Sequence, residues 1–326
     1  MGTLASNRRP IAHLASDSQL MPMTGTLVET IHPAPPYDFA LTARASRFYN
    51  TLGAFDGSAY WRALRIGQGL ALVRLAATGT PDRPAIDVYL MATRGEVDHD
   101  ALRRHVRRIL NLHLDLSGFY DVARRDERLW RVVESLSGLH IFQTETIFEA
   151  LAITVLEQQI SLAAAQRGER WLIEWAGDRI VWNGTAHAVF PPASRLAQAS
   201  IADLTPTKVT FRRMRTVIDV ARMEMENSFE RLREQPLDDA YRALVSLSGV
   251  GHWTAAWTLA RGTGHFIYFG SADVALRAAV NHYVYGQPGR CDAATTDAYF
   301  RQFGEHAGLA AYYTLMKWAF DRYATP

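Results

Sequence analysis

The chain carries a single cysteine, Cys291, among 326 residues. One thiol closes no intramolecular disulfide and cannot supply the four thiolates that an iron–sulfur cluster normally requires. A cysteine-based structural zinc site is excluded as well, since such sites use two or more thiolates. The eleven histidines do not cluster at ligand spacing; His99 and His105, six apart beside a charged helix, read as a solvated face. Lysine is almost as scarce: only Lys208 and Lys317 are present, and the other 33 basic residues are arginine. No run approaches the ~20 apolar residues of a membrane span, so no membrane partner is expected. Residues 1–23 lack the apolar core of a signal peptide and read as a flexible leader. With one cysteine, this makes a cytoplasmic location the expectation.

What is present is an ordinary globular composition, 48% apolar and 21% charged. The net charge of +2 says little about nucleic acid. Arginine dominance says more, because its fork binds phosphate, although a GC-rich genome would encode the same bias.

Two regions differ in pattern. Residues 24–97 contain β-rich runs near 27–31 and at 61–66, 69–75 and 85–91, punctuated by Gly67, Gly69, Gly79, Pro81 and Pro84, which predicts an antiparallel meander. A helix is predicted over 39–49, after the Pro35-Pro36-Tyr37-Asp38 turn, making this an α+β domain. From residue 98 to 326 the periodicity is helical. Helices are expected near 102–110, 145–175, 211–225, 237–247, 254–260, 274–285, 297–303 and 310–323.

The sharpest local feature is Leu247-Ser248-Gly249-Val250-Gly251-His252-Trp253-Thr254-Ala255. Two glycines separated by one valine lie between two helices and permit a tight turn. The N–H groups opening the second helix then point outward, where they can hold a phosphate. A plain interhelical turn would carry the same Gly-x-Gly. About 20 residues beyond it by helix-plus-loop spacing, Phe269-Gly270-Ser271-Ala272-Asp273-Val274 places Asp273 at a helix start. An isolated aspartate there is commonly just an N-cap.

Together these features resemble the helix–hairpin–helix DNA glycosylase superfamily, and within it the branch of DNA-3-methyladenine glycosylase II. Thr154-Val155-Leu156-Glu157-Gln158-Gln159-Ile160-Ser161 is similar to the family's Ile-Leu-x-Gln-x-Val-Ser segment. Phe190-Pro191, with Leu196-Ala197 and Leu204, resembles its following Phe-Pro…Leu-Ala segment, and Pro35-Pro36-Tyr37-Asp38-Phe39 its N-terminal start. The resemblance spans roughly residues 24–326. It implies a TATA-binding-protein-like antiparallel sheet domain, then a mainly α helix–hairpin–helix glycosylase domain of two lobes with the active site in their cleft.

The resemblance further implies a monomeric base-excision repair enzyme that acts on double-stranded DNA. A damaged base is flipped out and its N-glycosidic bond is cleaved, with Asp273 stabilising the oxocarbenium-like sugar. The base pocket falls to Trp253, Trp257 and Phe303, for which core packing is the alternative. DNA contacts fall to Gln158, Gln159, Ser161, Gly249, Val250, Gly251, His252, Thr254 and Arg277. Of these, Gln159 occupies the gap-filling position. Thr254 could equally be a plain helix residue, and Arg277 a surface charge. A Na+ or K+ ion is expected on the hairpin carbonyls of Leu247 and Val250, with no other cofactor. Relatives that also cut the strand use a lysine where this chain has Trp253, so no lyase activity is expected and an abasic site is the product. Alkylated bases of the 3-methyladenine and 7-methylguanine type are the expected substrates; deaminated or oxidised bases such as hypoxanthine, or a non-catalytic damage-binding module, are the competing readings. The loop Gly270-Ser271-Ala272 and the segment Phe303-Gly304-Glu305-His306-Ala307-Gly308 depart from the family pattern, which bears on substrate choice.

Overall fold

A computed structural model describes residues 25–323; the leader expected over 1–23 lies outside them. The chain opens with β1 (Thr26–Ile31), α1 (Phe39–Ser46), β2 (Ala54–Phe55), β3 (Ala59–Ile66), β4 (Gly69–Ala77), β5 (Ile86–Arg94) and α2 (His99–Ile109). The strands form one antiparallel sheet in the order β1-β5-β4-β3-β2. On one face Leu64, Ala71, Val73, Leu75 and Val88 pack with Phe39 and Ala43 of α1 and with the Leu102, Val106 and Ile109 stripe of α2. So α2, which follows the boundary expected at residue 97, completes the sheet's core.

The sheet's other face is also covered. Ala63, Leu70, Leu72 and Met91 pack on Ile180 and Val189, within and just after a hairpin of β6 (Arg179–Trp182) and β7 (Thr185–Ala188). This explains why 70–75 is apolar at every position but one: a strand buried on both faces has no reason to alternate. The hairpin is a strand pair inside the stretch expected to be all-helical. Its turn is Asn183-Gly184, both with positive φ (47° and 77°), the two-residue connection that matches strand twist.

The helical part continues with α3 (Ser117–Ala123), α4 (Glu127–Glu134), α5 (Ile147–Glu157), α6 (Leu162–Ala176), α7 (Ala193–Ala197), α8 (Ile201–Leu204), α9 (Phe211–Glu226), α10 (Leu237–Val245), α11 (His252–Thr263), α12 (Val274–Tyr283), α13 (Ala293–Arg301) and α14 (Ala307–Tyr323). The single helix expected over 145–175 is two, broken at Gln158–Ser161, where Gln159 takes φ 54° and Ser161 caps α6 by accepting the Ala164 N–H.

Two apolar cores divide the helices. One joins α3, α4, α12, α13 and α14 to α1; the other joins α5, α6, α7, α9, α10 and α11. Helix α11 touches both, with Ala255 and Leu259 in one core and Ala260 in the other. Helix α5 is apolar almost all round, as a fully enclosed helix must be, and each of its two buried charges meets a guanidinium. Glu149 pairs with Arg62 of β3 at 2.8 Å, tying the sheet to α5, and Glu157 pairs with Arg261 of α11 at 2.6 Å. Removing one partner of such a pair strands the other charge in a medium that solvates it poorly.

Candidate active site

Helix α10 ends at Val245, and the chain turns back into α11 through Gly249-Val250-Gly251. Gly249 has φ 84°, and a Cβ there would lie 2.4 Å from Thr216 Oγ1, so only glycine satisfies both backbone and neighbour. Val250 anchors the turn in the core at 6% exposure, and its N–H donates to Leu247 O at 3.0 Å. Gly251 is the N-cap of α11 and brings no side chain to it. The first-turn N–H groups of α11 are therefore uncapped, and Gly251 itself is exposed, with open space where a Cβ would stand. That leaves a clear approach for an anion along the helix axis.

Gln158 braces this turn from α5. Its Nε2 donates to Gly249 O and to Thr254 Oγ1, both at 2.9 Å. Thr254 is 2% exposed and engaged there, so its hydroxyl is a structural partner and the phosphate-ligand reading is corrected. Gln158 is likewise turned inward to the hairpin. Its neighbour Gln159 is the exposed one, standing at the tip of the α5–α6 break in a left-handed conformation. Ser161 is exposed and spends its hydroxyl on capping α6.

Asp273 is the N-cap of α12, its Oδ1 accepting the N–H groups of Ala275 (2.8 Å) and Leu276 (3.0 Å). Its Oδ2 accepts the indole N–H of Trp253 at 2.8 Å. The capping reading and the functional one are thus compatible: capping fixes one oxygen, and Trp253 fixes the other. Gly270 makes room for that indole, since a Cβ would come within 2.3 Å of Trp253 Cδ1. His252, exposed, spans the same gap. Its Nδ1 meets Tyr241 Oη and its Nε2 meets Phe269 O, both at 2.7 Å. The carbonyl can only accept, so Nε2 carries the proton and Nδ1 accepts from the tyrosine. The first turn of α11 and the loop before Asp273 are therefore tied at two points.

Beside Asp273 a cleft opens, walled by Trp257 and Ala260 of α11, Phe266, Tyr268 and Phe269 of the loop, Leu276 of α12, and Gly308, Tyr312 and Leu315 of α14. Five aromatic side chains face one carboxylate. The cavity volume is about 30 Å³, room for about two waters, so a purine ring enters only as the aromatic walls part. Trp257 is backed by Arg261, whose guanidinium lies 4.9 Å from the ring centroid. Burial pushes the carboxyl of Glu157 up, and Arg261 opposes that. Tyr268 stacks on Tyr241 at 4.0 Å and donates to Asp238; burial and that bond push its hydroxyl up to about 12.

Three sequence-predicted residues fall elsewhere: Trp253, expected in the base pocket, does not line the cleft and is turned to Asp273 instead. Phe303 does not line the cleft; it is 6% exposed and packs edge-on to Tyr299 at 5.4 Å, the core-packing alternative. Arg277 donates from Nε to Cys291 O at 2.7 Å, bracing the loop after α12. Tyr268, Phe269, Tyr312 and the Glu157–Arg261 pair were not anticipated. They are separated in sequence and converge only through packing, although a Glu and an Arg on otherwise apolar helices are a legible sign of a buried pair.

No family model matches the chain. It is 35% identical over 160 residues to DNA-3-methyladenine glycosylase of Bacillus subtilis, a match covering 48% of this chain and 53% of that one. The chain therefore spans about half the length of this relative. With DNA-3-methyladenine glycosylase 2 of Escherichia coli it shares 24% identity over 241 residues, 72% of this chain and 80% of that one. The solved 3-methyladenine DNA glycosylase of Archaeoglobus fulgidus superposes with a TM-score of 0.75 at 20% identity, covering 91% of this chain and 99% of the other. The chain is thus similar in sequence to DNA-3-methyladenine glycosylases and shares the fold of the Archaeoglobus protein. The antiparallel sheet followed by the helical part, including the helix–turn–helix at Gly249–Gly251, is covered by that superposition.

Proposed function

We propose that this chain is a monofunctional DNA N-glycosylase for alkylated bases, working as a monomer on double-stranded DNA. The observation that carries the reading is Asp273, held through both oxygens at the mouth of an aromatic cleft and tied by Trp253 to the DNA-gripping turn. The backbone N–H groups of Gly251, His252 and Trp253 take a phosphate. Gln159, exposed at its tip, fills the space the flipped nucleotide leaves. The base enters between the aromatic walls, whose π-faces favour a ring carrying positive charge by ~0.5–2 kcal/mol. That charge also makes it the better leaving group.

The C1′–N bond breaks with its electron pair leaving on the base. Asp273 stabilises the cationic sugar. Water adds its oxygen to C1′ and gives its proton to solvent, leaving an abasic site and a free base. A lysine nucleophile is not part of this scheme. Trp253 stands at the position in question, Lys317 is engaged with Asp321 at 2.5 Å, and Lys208 precedes α9, away from the cleft lining. The hairpin carbonyls of Leu247 and Val250 offer the oxygen donors a hard cation takes. Leu247 O keeps one lone pair beyond its bond to Val250 N–H. A Na+ or K+ held there would add positive charge beside the bound phosphate.

The test is release of bases from methylated duplex DNA, with Asp273→Asn in parallel and a borohydride-trapping arm. Release of 3-methyladenine or 7-methylguanine, lost in the variant and without a trapped adduct, is the expected result. A trapped adduct would overturn the monofunctional reading. Release of hypoxanthine alone would move the substrate class.

A further inference from the structure

A second cavity is larger than the aromatic cleft. It measures about 390 Å³ and lies at the far end of α11, where Arg108 and His113 follow the sheet domain and meet Arg233, Leu237, Leu259 and His265. This is within the ~300–1,000 Å³ of small-molecule sites, and nothing in the proposed reaction uses it.

Its charge balance is incomplete. Arg233 is paired, its Nε donating to Glu230 at 2.7 Å. Arg108 has no carboxylate partner among the described residues. Its Nη2 donates to the backbone carbonyl of Glu145 at 2.7 Å, its Nε is buried without a partner, and its Nη1 makes no bond within the described chain. Burial and the like charge of Arg233 disfavour the charged form of Arg108, and the carboxylates of Glu230, Glu145 and Glu149 offset them only in part. A guanidinium does not escape by losing its proton, so an external anion would complete that offset. The two imidazoles sit side by side, ring centroids 5.7 Å apart. His113 is tied through Nε2 to Thr263 O at 3.2 Å, and His265 is exposed at the rim. Leu232, Leu237 and Leu259 supply the apolar part of the lining. Forked cationic donors, planar rings and an apolar wall in one cavity suit an anion with several oxygens attached to a flat apolar body.

We propose that this cavity binds a phosphate-bearing ligand of mononucleotide size, with Arg108 as its principal anion contact and His265 as its rim. The site is independent of the glycosylase reaction: it lies outside the cleft and takes nothing from Asp273.

The experiment uses the full chain with inorganic phosphate and with dAMP, each against potassium chloride of matched ionic strength. Side-chain NMR of labelled histidine follows His113 and His265, and thermal unfolding runs alongside. Saturable shifts of both imidazoles below about 10 mM ligand are expected, tighter for dAMP than for phosphate. The unfolding midpoint should rise by roughly 2 °C at ten-fold excess over Kd. Both effects should persist in Asp273→Asn and disappear in Arg108→Met. His265→Ala, an exposed position that leaves folding intact, should weaken dAMP at least three-fold, so the proposal stays testable even if Arg108→Met does not fold. Unmoved imidazoles, or an undiminished response in Arg108→Met, would overturn the site and would leave the glycosylase reading as it stands.

Discussion

Trp253 donates its indole N–H to Asp273 Oδ2 at 2.8 Å, joining the first turn of α11 to the N-cap of α12. Trp253 thereby fixes the second carboxylate oxygen, the first being fixed by the helix cap. Asp273→Asn keeps an oxygen to cap Ala275 and Leu276 but presents an amide N–H to the indole N–H. The fold should survive and base release should fall at least about 100-fold, as for loss of a transition-state electrostatic contact. Trp253→Phe keeps the ring beside Gly270 and deletes only the donor. Release should fall roughly ten-fold, ~1.4 kcal/mol at the transition state, at unchanged DNA affinity. Equal activity of Trp253→Phe and wild type would show that the bond is incidental.

His252 is the second tie between the same two segments, and it touches the loop through Phe269 O rather than through Asp273. His252→Ala removes two hydrogen bonds, each worth about 1 kcal/mol net. Single-turnover excision should drop several-fold, while binding of undamaged duplex changes little. A loss confined to binding would instead make His252 a plain DNA contact.

Gln159 is exposed at φ 54°, a conformation costly for a residue with a Cβ. Gln159→Gly should relieve that cost and raise the unfolding midpoint, yet lower excision roughly ten-fold, because nothing then fills the stack when the base leaves it. Gln159→Ala separates the two effects. Wild-type excision by either variant would rule out the gap-filling role.

Much of this was legible before the structure because the deciding features are local. The Gly249-Val250-Gly251 turn, Asp273 at a helix start and the β-rich runs of the first domain each depend on a few adjacent residues. What was missed depends on tertiary packing. Phe303 and Trp257 look alike in sequence, and only the docking of α13 and α14 sends Phe303 to the core while α11 turns Trp257 to the cleft. Gln158 and Gln159 look alike too, until the break after α5 turns one inward and the other out. The β6–β7 hairpin leaves only its Asn183-Gly184 turn as a local signal, because strands of four residues each are too short to show a period.

Trp257 has the clearest consequence for substrate choice. It stands in the cleft wall with Arg261 stacked 4.9 Å from its ring centroid. Trp257→Leu keeps an apolar wall and removes the π-face. Excision of positively charged 7-methylguanine should fall by roughly 2- to 30-fold, the range of a cation–π contact, while excision of neutral hypoxanthine, if detectable, changes less. Equal losses on both bases would mean that Trp257 acts by shape alone.

Stability should also report a buried carboxyl that the chemistry does not use. Glu169 of α6 lies buried, accepting the Thr51 N–H at 3.3 Å, and burial together with the nearby Glu157 raises it from its ordinary 4.5 to about 7. The folded chain then holds a proton between pH 4.5 and about 7 that the unfolded chain has released. Stability contributed by this group is therefore full below about pH 4.5 and declines as pH rises to about 7, after which no further loss follows. Glu145, also raised to about 7 by burial and the neighbouring Glu149, adds a decline of the same sign. Glu169→Gln retains an acceptor for Thr51 and carries no charge to bury. It should reduce the slope of stability against pH across that window, and at pH 8 it should be more stable than wild type by on the order of 1–3 kcal/mol. Denaturant titrations of both proteins at pH 5 and pH 8 decide the point. A variant less stable than wild type at both values would mean that Glu169 keeps its charge in the fold and that Thr51 depends on it.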